Sequence, residues 1–121
     1  IHQSARAGAI GAECANQLGG TQAFWGFVDT VFTRQEEGLS SALFSEIASG
    51  IGLDRNAFSA CASSNEYDAR INADMENAVA SGGRGTPHSI IIAADGSKQV
   101  VPGAVPYATL KSQIEQALKV Q

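Results

Sequence analysis

The apolar residues of this chain change rhythm once. Up to Ala80 they recur at three- and four-residue steps, the spacing of helices with one buried face; from Ser89 they run together as in a strand. Ser4 can cap a first helix reaching about Leu18, with Ala7, Ile10, Cys14 and Leu18 inward, and Gly19-Gly20 ends it. Thr21 then caps a second helix that puts Phe24, Val28, Val31 and Phe32 on one face, flanked by Trp25 and Phe27. An aromatic stripe of this kind reads as core packing rather than as a cofactor site. Arg34 to Leu39 is a charged turn. Ser40 or Ser41 opens a third helix carrying Leu43, Ile47 and Ile51, which Gly52 closes, and Asp54 caps a short fourth with Phe58 and Cys61 inward. Ser63 and Glu66 stand as in a capping box at the head of a long fifth helix, with Tyr67, Ile71, Met75, Ala78 and Val79 along one side.

The change of rhythm falls on Gly82-Gly83-Arg84-Gly85-Thr86-Pro87, whose glycines and proline mark a loop with backbone angles most residues resist. After it Ser89 to Ala94 is a strand, Asp95-Gly96 signals a two-residue hairpin, and Lys98 to Val101 returns. Pro102-Gly103 ends the hairpin, and Pro106 suits the first turn of a last helix with Leu110, Ile114 and Leu118 inward and Lys111, Gln113, Glu115 and Lys119 outward. The Thr86-Pro87 bond is a candidate for a cis junction; the alternative is a trans proline at a strand start, and the local sequence favours trans. The run Ile90-Ile91-Ile92 is apolar on both faces, as in a central strand, yet a lone hairpin is marginal in water. Another segment or another copy of the chain completes the sheet, or the hairpin lies on a helical cluster.

With 121 residues, 44% hydrophobic and 17% charged, the chain is read as one globular domain. A net charge of −4 with no cluster of Lys and Arg argues against nucleic acid as a partner. The longest apolar run, Ile90 to Ala94, is far too short to span a bilayer, so membrane insertion is not expected. Ile1 in place of Met, with no signal-peptide pattern behind it, reads as the start of a processed or truncated product. The glycine loop leads into a strand, whereas phosphate cradles lead into a helix, and the carboxylates read as solvated faces. His2, His88, Cys14 and Cys61 formally make a zinc quartet, but no two stand close enough in sequence to be preorganised; no metal and no cofactor are expected. Cys14 and Cys61, 47 positions apart, cannot form a Cys-x-x-Cys. The residues alone leave them as a disulfide or as two buried thiols.

Taken in order, several stretches resemble one family. Ala12-Glu13-Cys14-Ala15-Asn16-Gln17 closes an alanine-rich helix; Phe24-Trp25 follows, then Ile51-Gly52-Leu53-Asp54, Phe58-Ser59-Ala60-Cys61, Gly85-Thr86-Pro87 and Gly103-Ala104-Val105-Pro106-Tyr107. The chain resembles the thiol-disulfide oxidoreductases of the DsbA family, in which a helical insert interrupts a thioredoxin fold. The resemblance implies an α/β fold lacking its first strand: a five-helix insert over 1–83, then a β-hairpin and a final helix over 84–121, with the sheet incomplete. It implies a cis-proline at Pro87, a Thr86 backbone offered to an extended substrate, close approach at Gly85, and His88 near the redox centre. It also implies a structural disulfide between Cys14 and Cys61. Cysteine-containing polypeptides, a redox partner protein and an extracytoplasmic location follow from it, as does a homodimer or pairing with a missing amino-terminal segment. Three departures stand out. The Cys-x-x-Cys and its strand are absent, Gly83 replaces an aliphatic residue, and His88 an apolar one. A non-catalytic peptide- or partner-binding module of the same fold is the alternative, and a glutathione-dependent isomerase or transferase with serine for the first cysteine is a third.

Overall fold

The structure is a computed structural model that describes residues 3–120, so His2 and its formal place in a zinc quartet lie outside the described residues. The chain forms two compact units, one ending at Ala73 and the other beginning at Asp74.

The first unit is helical: α1 (Ala5–Thr33), a 3-10 turn (Gln35–Glu37), α2 (Ser41–Gly50), α3 (Arg55–Ser63) and the first turns of α4 (Asp68–Ala80). The two helices expected before Arg34 are the two arms of α1, which turns at Gly20 with φ 71° and ψ −169° and continues as helix at once. That angle needs a residue without a side chain. The turn resets the phase of the second arm, so its buried residue is Phe27, while Trp25 and Phe32, 57% and 65% exposed, face solvent. Phe32 is thus not a core residue as its spacing suggested. The reason is Gly11: a Cβ there would stand 2.8 Å from Phe27 Cζ and 3.3 Å from Phe58 Cζ, so both rings pack onto bare backbone. Around them Cys14, Ala15, Phe44, Ile47 and Ala48 complete a dry core, each large side chain contributing about 1.5–3 kcal/mol by burial. Ala7 and Leu18, expected inward, are exposed.

Side-chain caps close the starts of α2 and α3. Ser40 Oγ accepts from Leu43 N at 3.2 Å, and Asp54 Oδ1 accepts from Ala57 N at 2.7 Å. Ser4 is not a cap of this kind, since its hydroxyl donates to Leu39 O at 2.8 Å and ties the chain start to the loop before α2. The expected Ser63–Glu66 box does not form. Ser63 ends α3, and Ser64 Oγ instead donates to Cys61 O (2.7 Å) and accepts from Glu66 N (3.3 Å), making a turn. Arg6 bonds Asp68 and, at 2.8 Å, Asn72; Arg70 Nε donates to the nearly buried Glu13 at 3.1 Å, and so the first turns of α4 are fastened to α1. Met75 and Val79, expected on the buried side of α4, are exposed.

The second unit holds the rest of α4, β1 (His88–Ile92), β2 (Lys98–Pro102) and α5 (Tyr107–Ala117). The strands pair antiparallel, with Ile90 opposite Val100. Their turn has three residues rather than the two that Asp95-Gly96 suggested: Ala93 N donates to Ser97 O, Gly96 N donates to Ala93 O, both at 2.9 Å, and Gly96 sits at φ 82°. This is a type I turn closed by a left-handed residue, which matches strand twist as well as a two-residue loop does. Val101 is buried, Ile91 half-buried and Ile90 and Ile92 exposed, so β1 is not covered on both faces among the described residues. In α5 Leu110 is half-buried, whereas Ile114 and Leu118, expected inward, are exposed. Gln113, expected outward, has a buried Oε1 without a partner among the described residues.

Candidate functional site

The loop between α4 and β1 is clamped at both ends and open in the middle. At its start Gly82 N donates to Val79 O (3.0 Å) and Gly83 N to Ala78 O (2.9 Å), a close of the helix that depends on glycine: Gly82 has φ 88°, and a Cβ on Gly83 would lie 2.8 Å from Ala78 O. At its end Gly103 N donates to Pro87 O at 2.9 Å, extending the hairpin ladder by one step. The Thr86–Pro87 peptide bond is cis, not the trans isomer that the local sequence favoured.

His88 makes the third clamp. Its imidazole lies over Gly82 and Gly83, and Nε2 donates to Ser81 O at 3.1 Å in the tautomer with its proton on that nitrogen. The resemblance put His88 near the redox centre, and the sequence reading did not find this clamp. The available signal was the pair of side-chain-free residues before it, which leaves room for a ring. Between the clamps Arg84, Gly85, Thr86 and Pro87 are exposed, and among the described residues neither the N–H nor the C=O of Thr86 has a hydrogen-bond partner.

The ladder shows where that backbone leads. The bonds Gly103 N to Pro87 O and Ala93 N to Ser97 O fix the paired positions of β1 as Ser89 and Ile91, so those residues turn their amides and carbonyls to β2. His88, Ile90 and Ile92 turn theirs to the opposite edge, which among the described residues is unpaired in a sheet of two strands. The corresponding outer edge of β2 carries Lys98, Val100 and Pro102, and the charge and the proline, which has no N–H, blunt it. Strand addition is therefore open at β1 and hindered at β2. A cleft of about 350 Å³ lined by Ile91, Ala93, Ser97, Lys98, Gln99 and Ala117 lies at the far end of the hairpin from Thr86, with Lys98 the ionisable side chain in its lining.

The two cysteines are elsewhere. Cys14 on α1 and Cys61 on α3 form a disulfide with Cα atoms 5.9 Å apart. Gln17 Oε1 rests 3.0 Å from Cys61 Sγ, a contact without a proton, since a disulfide sulfur has none to donate. Gly85, Thr86, Pro87 and His88 thus form one continuous segment, and the cysteines serve packing in the helical unit. No group of three or more His, Cys, Asp or Glu side chains stands together as a metal site among the described residues.

A helical unit followed by a proline loop, an antiparallel hairpin and a closing helix, with the sheet left open, defines a thioredoxin-like α/β domain. The chain matches the DSBA-like thioredoxin domain family over residues 3–115, and it belongs to that family, as its ordered motifs suggested. Comparison with curated proteins and with solved structures finds no match. Among the described residues no helix is long and apolar enough to cross a membrane.

Proposed function

We propose that this chain is the substrate-binding portion of a protein thiol-disulfide oxidoreductase of the DsbA type, with 1–83 its helical insert and 84–121 its carboxy-terminal ββα portion. The observation that carries the reading is the unpaired, exposed backbone of Thr86 at the head of a strand with an open edge. Such an edge takes an extended polypeptide by main-chain hydrogen bonding, holding a cysteine of the substrate at the loop. Gly85 lets the peptide come close, and His88 holds the loop to the end of α4. The exchange itself is attack by a thiolate on a disulfide sulfur, giving a mixed disulfide that a second thiol resolves. Cys14 and Cys61 bridge α1 and α3 and are not a Cys-x-x-Cys, so the reading assigns that chemistry to a Cys-x-x-Cys of the parent protein. The partners are cysteine-containing polypeptides and a protein that resets the redox state. The internal disulfide and the family favour an extracytoplasmic location.

The test is a thiol count on the natural protein, by intact mass after alkylation with and without reductant, beside an insulin-reduction assay. Two reductant-dependent thiols beyond Cys14 and Cys61, together with turnover, support the enzyme. Only those two, and no turnover, overturn it. One observation favours a second reading for the chain taken alone: its only two cysteines form a bridge between α1 and α3, with Cys14 fully buried, and not a Cys-x-x-Cys. On that reading it is a non-catalytic peptide- or partner-binding module using the same loop.

A further inference from the structure

Between Glu76 and Asp95 the sequence holds one formally charged residue, Arg84. It is exposed and stands between Gly83 and Gly85, which give its stem no neighbouring side chain to lie on. Arg6, Arg34, Arg70 and Lys111 are engaged with carboxylates, whereas Arg84, like Arg55, Lys98 and Lys119, has no acidic partner among the described residues. It stands two positions before Thr86, with only Gly85 between them, so their Cα atoms are within about 7 Å. A guanidinium at that distance reaches the side chains flanking any peptide residue seated on the Thr86 backbone. Neither Gly85 nor Pro87 carries a charge to offset it.

We propose that Arg84 sets a substrate preference at this loop, selecting peptides with Asp or Glu close to the residue that pairs with Thr86. The inference rests on the peptide-binding reading above and deepens it. An Arg guanidinium offers a planar fork of donors that fits a carboxylate in two-pronged fashion, and it repels Lys and Arg at the same positions. Because the pair forms in solvent, its strength is modest and falls with salt.

The experiment uses the 121-residue chain and short peptides with a central S-methylcysteine, which cannot exchange. One set carries Asp two residues before or two residues after the centre, and a matched set carries Lys. Affinities are read from amide shifts of Thr86 and His88 by NMR. The acidic peptides should bind about two- to fivefold more tightly than their Lys counterparts at low salt. That ratio should fall toward one in high salt and in Arg84→Gln, with the variant retaining the fold by circular dichroism. Equal binding of both sets, or a preference that survives in Arg84→Gln, overturns the assignment while leaving the peptide site intact. If no peptide of either charge moves the Thr86 and His88 signals, the peptide site itself fails and the assignment with it.

Discussion

Asp54 and Glu37 are two acidic side chains whose work is done within three residues of their own positions. Asp54 Oδ1 accepts the Ala57 amide at the start of α3, one of four donors that a helix start leaves without a partner. Asp54→Ala should cost about 1 kcal/mol and Asp54→Ser very little, as measured by urea unfolding; equal losses in both would mean the cap is not what matters. Arg34 donates to both oxygens of Glu37, at 2.9 and 2.7 Å, and to Glu46 at 2.8 Å. Its hydrogen bonds hold the Glu37 carboxyl below the usual carboxylate range, more than offsetting the opposing effect of partial desolvation. With the folded-state value lowered, the favourable contribution is complete above the ordinary range and is lost as pH falls through the lowered value. In Arg34→Gln the Glu37 midpoint should rise toward the ordinary carboxylate range, followed by carboxyl carbon shifts; an unmoved midpoint would show that Arg34 is not the cause. The Ser40 and Asp54 caps were legible in the sequence, because a cap is a local event, whereas Ser4 and Ser63 are drawn into other contacts that local spacing does not show. Phe27 was not, because its burial depends on Gly11 sixteen residues earlier and on Phe58 beyond.

Helices and strands were readable as elements, and their phase was not. The two arms of α1, α2, α3, α4, the hairpin and α5 all stand where the periodicity put them, with ends shifted by a few residues. The errors share a cause: periodicity shows that a helix has an apolar face, while the break at Gly20 and the neighbours decide which residues fill it. The disulfide is the strongest statement at this scale, since it joins α1 to α3 across 47 positions. Denying the unfolded chain that loop is worth about 4 kcal/mol on the chain-entropy account. Replacing both cysteines by alanine should lower the urea midpoint of the helical unit by an amount in keeping with that loss. Trp25, the single tryptophan, lies in that unit and reports on it by fluorescence. Reduction of the unaltered chain should give the same lowered midpoint. A double variant as stable as the parent would make the bridge incidental to the fold.

At the scale of the whole molecule the apolar core is divided very unequally. Every buried apolar side chain among the described residues except Val101 lies before Ala73, and α5 buries none. Resistance to opening follows buried packing, so the two units should differ in amide hydrogen exchange. Amides of 12–15, 44–48 and 58 should exchange slowest and those of α5 among the fastest. The hairpin adds a sharper expectation. Ser89 and Ile91 give their amides to β2, whereas those of Ile90 and Ile92 point to the open edge, so exchange along β1 should alternate, slow at 89 and 91 and fast at 90 and 92. The proline loop and the apolar run were visible from the sequence, but this alternation was not, since it needs the register. Measured at low concentration, uniform protection along β1 would contradict the register. Alternation that vanishes as concentration rises would mean that a second copy has paired with the free edge, using the same backbone groups through which a substrate strand would continue from Thr86.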